Sequence, residues 1–389
     1  MAEIEVTTPV IQKSRIFYID NLRIYLTILV ILHHIAMGYG GSGAWFVNES
    51  SFYPIDETTQ ILFTLFNVIN QSYFMAFFFL LAGYFTPRSF EKKGGATYTK
   101  DRLIRLGIPL LVYVIFISPV TEFIVRNYAY SEGWTFEDVI INRIYNITIG
   151  VDHLWFILAL LIFAGFYVLY KKIRPMYSLS SEKPFLRDRM ILASILVIAS
   201  ISFVVRIVSP VDTVYILNFK FGHFTSYVFM FWIGILAYHR KWFDKLESSQ
   251  AKRWIGIAVC VVIALPVFLI LMVDLSAPDF TPFMGGLTLE SLIFSIWESS
   301  ALLSITIGTL YVFKTRLNRS NRILMNMGGS VYTAYIIHVI IIIGFQILLL
   351  PIVMPAFFKA LIVAVVSIPL IFSLSAVIRK IPGFSRVLG

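Results

Sequence analysis

Two adjacent histidines, His33 and His34, interrupt the stretch DNLRIYLTILVILHHIAMGYG (residues 20–40), an otherwise apolar run that opens on Arg23. Ionisable groups in such a run are costly in hydrocarbon and usually face a bundle interior or a wet cavity. His34 follows Arg23 by eleven residues, about 16 Å of helix rise, which puts it near mid-depth of the run. Eleven steps of about 100° return a side chain to within roughly 20° of its starting direction. Arg23 and His34 therefore share a face, while His33 points elsewhere. Further on, His338 stands about eight residues into another apolar run, SVYTAYIIHVIIIIGF, with Tyr335 one turn earlier. Glu298 lies in IFSIWESSALLS behind Ser291 and Ser295, a polar stripe on one face; it needs a proton or a partner, for which an imidazole or Arg206 would serve. Asn67, Asn70 and Gln71 in FNVINQSYF stand at i, i+3 and i+4 and form one amide face, suited to holding helices together or to lining a site for a hydroxyl-rich ligand. Asp152, His153 and Trp155 open a later run, where aromatic belts are ordinary. In KDRLIRLGIP, Lys100, Arg102 and Arg105 are basic, and the two arginines, one turn apart, suit a clamp on phosphate oxygens. Each group also has a plain structural reading: a neutral histidine bonding a neighbouring helix, or ordinary basic residues at a membrane boundary.

The elements that must carry these side chains are membrane helices. The chain of 389 residues is 58% hydrophobic and only 14% charged, with a mean hydropathy of +0.81; soluble chains carry about 25% charged residues. Apolar runs of about 20 residues, enough to cross a bilayer core, predict ten spans: 22–40, 61–85, 103–125, 153–170, 190–208, 222–238, 254–273, 290–313, 331–350 and 357–378. If the N-terminus is cytoplasmic, the inner segments hold 3, 6, 6, 5, 4 and 3 Lys and Arg residues, 27 of the 32 present. Arg126, Arg143, Arg206, Lys220 and Lys359 remain for the outer side. Such enrichment is the orientation signal of membrane proteins, so both termini are expected inside. The net charge of +10 then reports orientation, and no aromatic-interleaved basic run points to nucleic acid. Residues 1–21 are polar without a small-residue cleavage pattern, so the first span is expected to be an anchor rather than a signal peptide. Cys260 is the only cysteine and lies in a span, which leaves no disulfide or cysteine metal site within one chain. No repeat or low-complexity stretch is present. The expected organisation is all-α and polytopic, a single domain over 1–389: a cytoplasmic segment 1–21, a ten-helix core 22–378 and a cytoplasmic tail 379–389.

Together the signatures resemble the membrane acyltransferase-3 family. DNLR…LHH matches its arginine, ten residues, then histidine, selecting Arg23 and His34. FFFLLAGYF (residues 77–85) followed by RLIRLGIP matches an apolar span ending in a Gly-aromatic pair, then paired arginines before a proline. HLWFI and SVYTAYIIH also fit. FYIDNLR and HLWF are most similar to the branch of periplasmic glucan succinyltransferases, without the extracytoplasmic hydrolase-like domain that some family members add. The resemblance implies a multi-pass inner-membrane enzyme of a bacterium that moves an acyl group (acetyl, succinyl or similar) from cytoplasmic acyl-CoA to a hydroxyl of an extracytoplasmic envelope carbohydrate, with no metal. It implies roles as well. His34 would be general base, a task suited to a group titrating near neutrality. Glu298 would orient or steady its imidazole as in a triad. Lys100, Arg102 and Arg105, with Arg23, would hold the CoA phosphates, and the pantetheine arm would thread up between spans. Asn70, His153, Trp155, Tyr335 and His338 would shape the acceptor pocket, with Trp155 a stacking surface for a sugar ring. An acyl-histidine intermediate is a second route open to the same residue.

Two other functions compete. A proton-coupled transporter would use His34, His338 and Glu298 as a relay, although no inverted repeat or paired broken helices are legible. A non-catalytic membrane protein would only bind or scaffold an envelope polymer.

Overall fold

A chain crossing hydrocarbon must satisfy its backbone N–H and C=O groups internally, which long apolar segments do by coiling. The computed structural model describes residues 16–146, 150–173, 184–273 and 279–388, and these residues form helices and no strands. Ten helices among them are long and apolar enough to cross a membrane: α1 Phe17–Gly38, α2 Glu57–Lys93, α3 Gly95–Ala129, α4 Asp152–Ile173, α5 Asp188–Val208, α6 Phe221–Arg240, α7 Ser248–Met272, α8 Leu289–Arg316, α9 Arg322–Leu349 and α10 Ala356–Ile378. Each of the ten spans expected from the sequence falls on one of them. The helices often outrun those spans, as α2 does, because a helix continues past the apolar core as long as its ends are capped. Asp56 caps α2 by accepting the Thr59 N–H at 2.9 Å. The Thr59 hydroxyl and N–H together hold the Asp56 carboxyl below its ordinary range.

Side-chain ties define the two ends of the bundle. Asn21, at the start of α1, donates to the carbonyls of Leu317 and Arg319 after α8, and Lys314 reaches the carbonyls of Phe243 and Asp244 after α6. Gln250 at the start of α7 joins Asp188 at the start of α5. This is the basic end, where α1, α3, α5, α7 and α9 begin. At the far end the α1–α2 connection is bound to α9 and α10.

Helix α1 lies inside the bundle against α2, α8, α9 and α10, whereas α7 is mostly exposed on the outside. The closest pair is α2 and α6. A Cβ on Gly83 would collide with the carbonyl oxygen of Phe231, and one on Gly234 with that of Leu80, so both positions admit no larger residue. Small residues that let backbones touch are the usual device of membrane helix packing, where dispersion replaces the hydrophobic drive. Helix α3 is irregular, with π turns at Leu103–Gly107, Tyr113–Ile117 and Val125–Ala129. Pro109 and Pro119 follow the first two. A proline has no N–H to return to the carbonyl four residues back; for Pro109 that carbonyl belongs to Arg105, and the Tyr332 hydroxyl of α9 donates to it at 2.6 Å.

Candidate active site

Helix periodicity separates the two adjacent histidines. His33 is buried against Phe74 of α2, its ring centroid 5.0 Å from the phenyl, with Nδ1 3.4 Å from the Asn70 amide nitrogen. His34 turns toward α9 and is partly exposed. Its Nδ1 lies 2.8 Å from Nε2 of His338, and the two rings, with centroids 5.0 Å apart and planes 12° apart, meet nearly edge to edge. On a face of the same ring, Trp45 of the α1–α2 connection stacks at 4.8 Å and 21°. The indole is itself held, because its N–H donates to Oε1 of Gln346 on α9 at 2.7 Å. His34 is thus held by a tryptophan on one face and by a second imidazole at its edge.

His338 is fully buried, and its Nδ1 lies 2.7 Å from the carbonyl oxygen of Tyr335 one turn back. His153, at the start of α4, sets its ring edge-on to His338 at 4.9 Å, and its Nε2–H donates to the carbonyl of Ile336 at 3.2 Å. The Tyr335 hydroxyl closes this corner by donating to the carbonyl of His153. Asp152, at φ 44°, accepts from the hydroxyls of Tyr113 (3.0 Å) and Ser118 (2.7 Å) of α3, fixing where α4 begins. Trp155 stacks on Tyr227 of α6 at 5.4 Å, and Gln71 donates to that tyrosine hydroxyl at 3.2 Å. His34, His338, Tyr335 and His153 therefore form one cluster. Trp155 borders a neighbouring aromatic wall, and Asn70 belongs to the His33 side.

The two histidines stand at different places along their own helices. α1 begins at Phe17 and ends at Gly38, so His34 sits four residues from the far end of its own helix rather than at its middle. α9 begins at Arg322, so His338 is sixteen residues in, near that helix's midpoint. Hydropathy registers only the apolar part of each helix and so misplaces residues relative to the true ends.

Glu298 has other partners than His34. Its Oε2 accepts from Arg206 of α5 and its Oε1 lies 3.1 Å from Nδ1 of His223 at the start of α6. Arg206, fully buried, also donates to Ser295 at 3.0 Å and to the Gly222 carbonyl at 3.1 Å. Of the two partners expected for Glu298, an imidazole or Arg206, the structure supplies both, but the imidazole is that of His223. Among the described residues no direct hydrogen bond joins Glu298 to His34 or His338. Arg23 is at the opposite end of α1 from His34, 3.9 Å from Asp20.

Lys100 is exposed at the basic end and lines a cleft of 670 Å³ with Lys172, Thr99 and the apolar side chains of Phe90, Leu103, Ile104, Ile108 and Val168. Arg102 lies over the Tyr98 ring, 4.9 Å from its centroid. Arg105 is exposed, and its carbonyl holds Tyr332. On α9, Tyr332, whose hydroxyl holds the Arg105 carbonyl, is followed at three-residue spacing by Tyr335 and His338, and Tyr332 to His338 is a rise of about 9 Å. On α3 the eight residues from Arg105 to Tyr113, whose ring meets His153 edge-on at 5.0 Å, cover about 12 Å. Among the described residues no group of three or more His, Cys, Asp or Glu is arranged to hold a metal ion.

Sequence reasoning passed over Trp45, Gln346 and His223. The signal for His223 was present, since an imidazole stands at the mouth of a span in KFGHF; Trp45 lies in a connection, and only the tertiary fold lays it on His34.

The chain matches the acyltransferase domain of the acyltransferase-3 family over residues 16–379. Glucans biosynthesis protein C of Escherichia coli strain K12 is 28% identical over 167 residues, 42% of this chain and 41% of that protein. The protein of the same name from Escherichia coli O1:K1 / APEC gives the same figures. The aligned stretch thus spans about 41% of the length of these curated relatives. No solved structure matches. A family match that runs from the start of α1 to the end of α10 makes this polytopic membrane protein a member of the acyltransferase-3 family.

Proposed function

We propose that the protein is an integral-membrane O-acyltransferase that takes an acyl group from acyl-CoA at the basic end and places it on a carbohydrate hydroxyl at the far end, with His34 as general base. The observation that carries this reading is the partly exposed imidazole of His34, held by Trp45 on one face and by His338 at its edge. Family membership and relatives named for glucan biosynthesis support a sugar acceptor. The orientation rests on the Lys and Arg distribution, which puts the basic end in the cytoplasm with both termini. Lys100, Arg102 and Arg105 then meet the phosphates of the donor, and the thin pantetheine arm reaches up between the helices to present its thioester beside His34.

The chemistry is a balanced transfer. His34 removes the hydroxyl proton as the sugar oxygen attacks the thioester carbonyl. The C–S bond breaks, and the proton passes from His34 to the departing sulfur, giving ester and free CoA. A positioned base supplies about 10²- to 10⁴-fold in such a step. Purified protein in detergent, given acyl-CoA and a soluble glucan, is expected to release CoA and acylate the glucan. His34→Ala should lower turnover by that factor with unchanged protein yield, while His33→Ala keeps most of the activity. Equal losses at the two positions would remove His34 from the role.

A further inference from the structure

The hydrogen-bond directions around His34 determine which of its nitrogens is free. A backbone carbonyl only accepts, so the 2.7 Å contact between Nδ1 of His338 and the Tyr335 oxygen requires an N–H on that nitrogen. A neutral imidazole carries one N–H, which leaves Nε2 of His338 as a bare acceptor. The 2.8 Å contact from Nε2 of His338 to Nδ1 of His34 then needs its proton on His34. His34 is left with an unprotonated Nε2.

We infer that His338 is a positioning residue that transmits the Tyr335 carbonyl to His34, holding His34 as the Nδ1–H tautomer with Nε2 as the basic nitrogen. This rests on the reading of His34 as general base. The arrangement performs with a second imidazole and a main-chain carbonyl what a carboxylate does in a Ser-His-Asp triad, namely fixing the ring's tautomer and orientation. Glu298 is engaged elsewhere, by Arg206 and His223. When His34 takes the hydroxyl proton on Nε2, its Nδ1–H still points at the lone pair of His338, so the cation keeps an acceptor without any rearrangement. The returning step gives the same proton to the thiolate and restores both rings.

The adjacent histidine provides an internal contrast. The Asn70 amide nitrogen is oriented by the Leu29 carbonyl at 3.3 Å and therefore donates to Nδ1 of His33. His33 must then carry its proton on Nε2. His153 does likewise, because its Nε2 faces the Ile336 carbonyl. Side by side on α1 stand two imidazoles of opposite tautomer. The Nε2–H form is the commoner one in water, so an Nδ1–H form at His34 is diagnostic of its partner.

The test is nitrogen NMR of the full-length protein carrying ¹⁵N-labelled histidine, with His34 assigned from the signals missing in His34→Ala. The expected spectrum shows His34 protonated at Nδ1 and His33 at Nε2. His338→Phe should shift His34 toward the Nε2–H form and lower kcat by about 10²- to 10⁴-fold, the scale of a misplaced tautomer, with KM for acyl-CoA little changed. His338→Gln, whose side-chain oxygen can accept from His34, should recover much of kcat. An Nε2–H form at His34 in the unaltered protein overturns the inference, and so does His338→Phe with normal kcat; the first measurement needs no variant and stands if a substitution fails to fold. If His34 is Nδ1–H but His34→Ala retains activity, the general-base reading falls and the hydrogen-bond relay remains.

Discussion

At the scale of single residues, Trp45 is the side chain whose loss most directly loosens His34. Its ring stacks on a face of the imidazole while His338 holds the ring's edge by a hydrogen bond, and an aromatic pair of the first kind contributes about 0.5–1.5 kcal/mol beyond area burial. Trp45→Ala is therefore expected to reduce turnover by roughly 2- to 10-fold without changing the yield of folded protein. Gln346→Leu, which removes the acceptor of the indole N–H, should have a smaller effect in the same direction. Steady-state kinetics on both variants checks the order. A larger loss at Gln346 would mean that the amide acts on something other than the tryptophan.

At the scale of elements, buried charges join helices that lie far apart in the chain. Arg206, Glu298 and His223 bring α5, α8 and the start of α6 together. Lys359 of α10 pairs with Glu49 of the α1–α2 connection at 2.6 Å, with side-chain exposures of 0% and 4%. Tyr53 completes this anchor by donating to the Leu350 carbonyl at 2.9 Å and by placing its ring 4.5 Å from the ammonium of Lys359. Removing one member of a buried pair leaves an uncompensated charge, which costs about 3–5 kcal/mol, whereas replacing both by apolar groups is often neutral. Glu298→Gln should therefore reduce the fraction of monodisperse protein in detergent before any chemical defect is seen, and Lys359→Met should do the same. The paired substitutions Glu298→Leu with Arg206→Met, and Glu49→Leu with Lys359→Met, should recover much of the lost thermal stability. The second pair is also expected to keep activity if the tie serves only to hold the connection that carries Trp45. A Glu298→Gln variant that folds normally but does not turn over would instead mark Glu298 as part of the chemistry.

For the whole molecule, the basic end and the far end must face different compartments if the donor and acceptor arrive from opposite sides. Cys260 on α7 is the only native thiol, so a Cys260→Ala background reports introduced cysteines cleanly. Glu132→Cys, exposed between α3 and α4, should react with a membrane-impermeant maleimide in intact cells. Ser249→Cys, exposed at the start of α7, should react only after permeabilisation. The reverse pattern would invert the topology and put Lys100, Arg102 and Arg105 on the side opposite to the one proposed for them.

The residues that were legible in advance and those that were not differ in one physical respect. The ten spans, the alternation of Lys and Arg, and the divergence of His33 from His34 depend on the chain's local properties: the length of an apolar run and the 100° step of a helix. Those the amino-acid sequence by itself determined. Which helix stands beside which is a lateral question inside a bilayer, where lipid and leucine are equally apolar and hydropathy carries no preference. Close contacts such as that of Gly83 with the Phe231 carbonyl settle it. Tertiary structure alone therefore decided that His338, 304 residues along the chain, is the partner of His34. It decided too that Glu298 turns to Arg206 and His223, and that Trp45 closes over the imidazole. The polar turn that starts α1 at Phe17 is a tertiary fact as well, held by Asn21 on the carbonyls of Leu317 and Arg319.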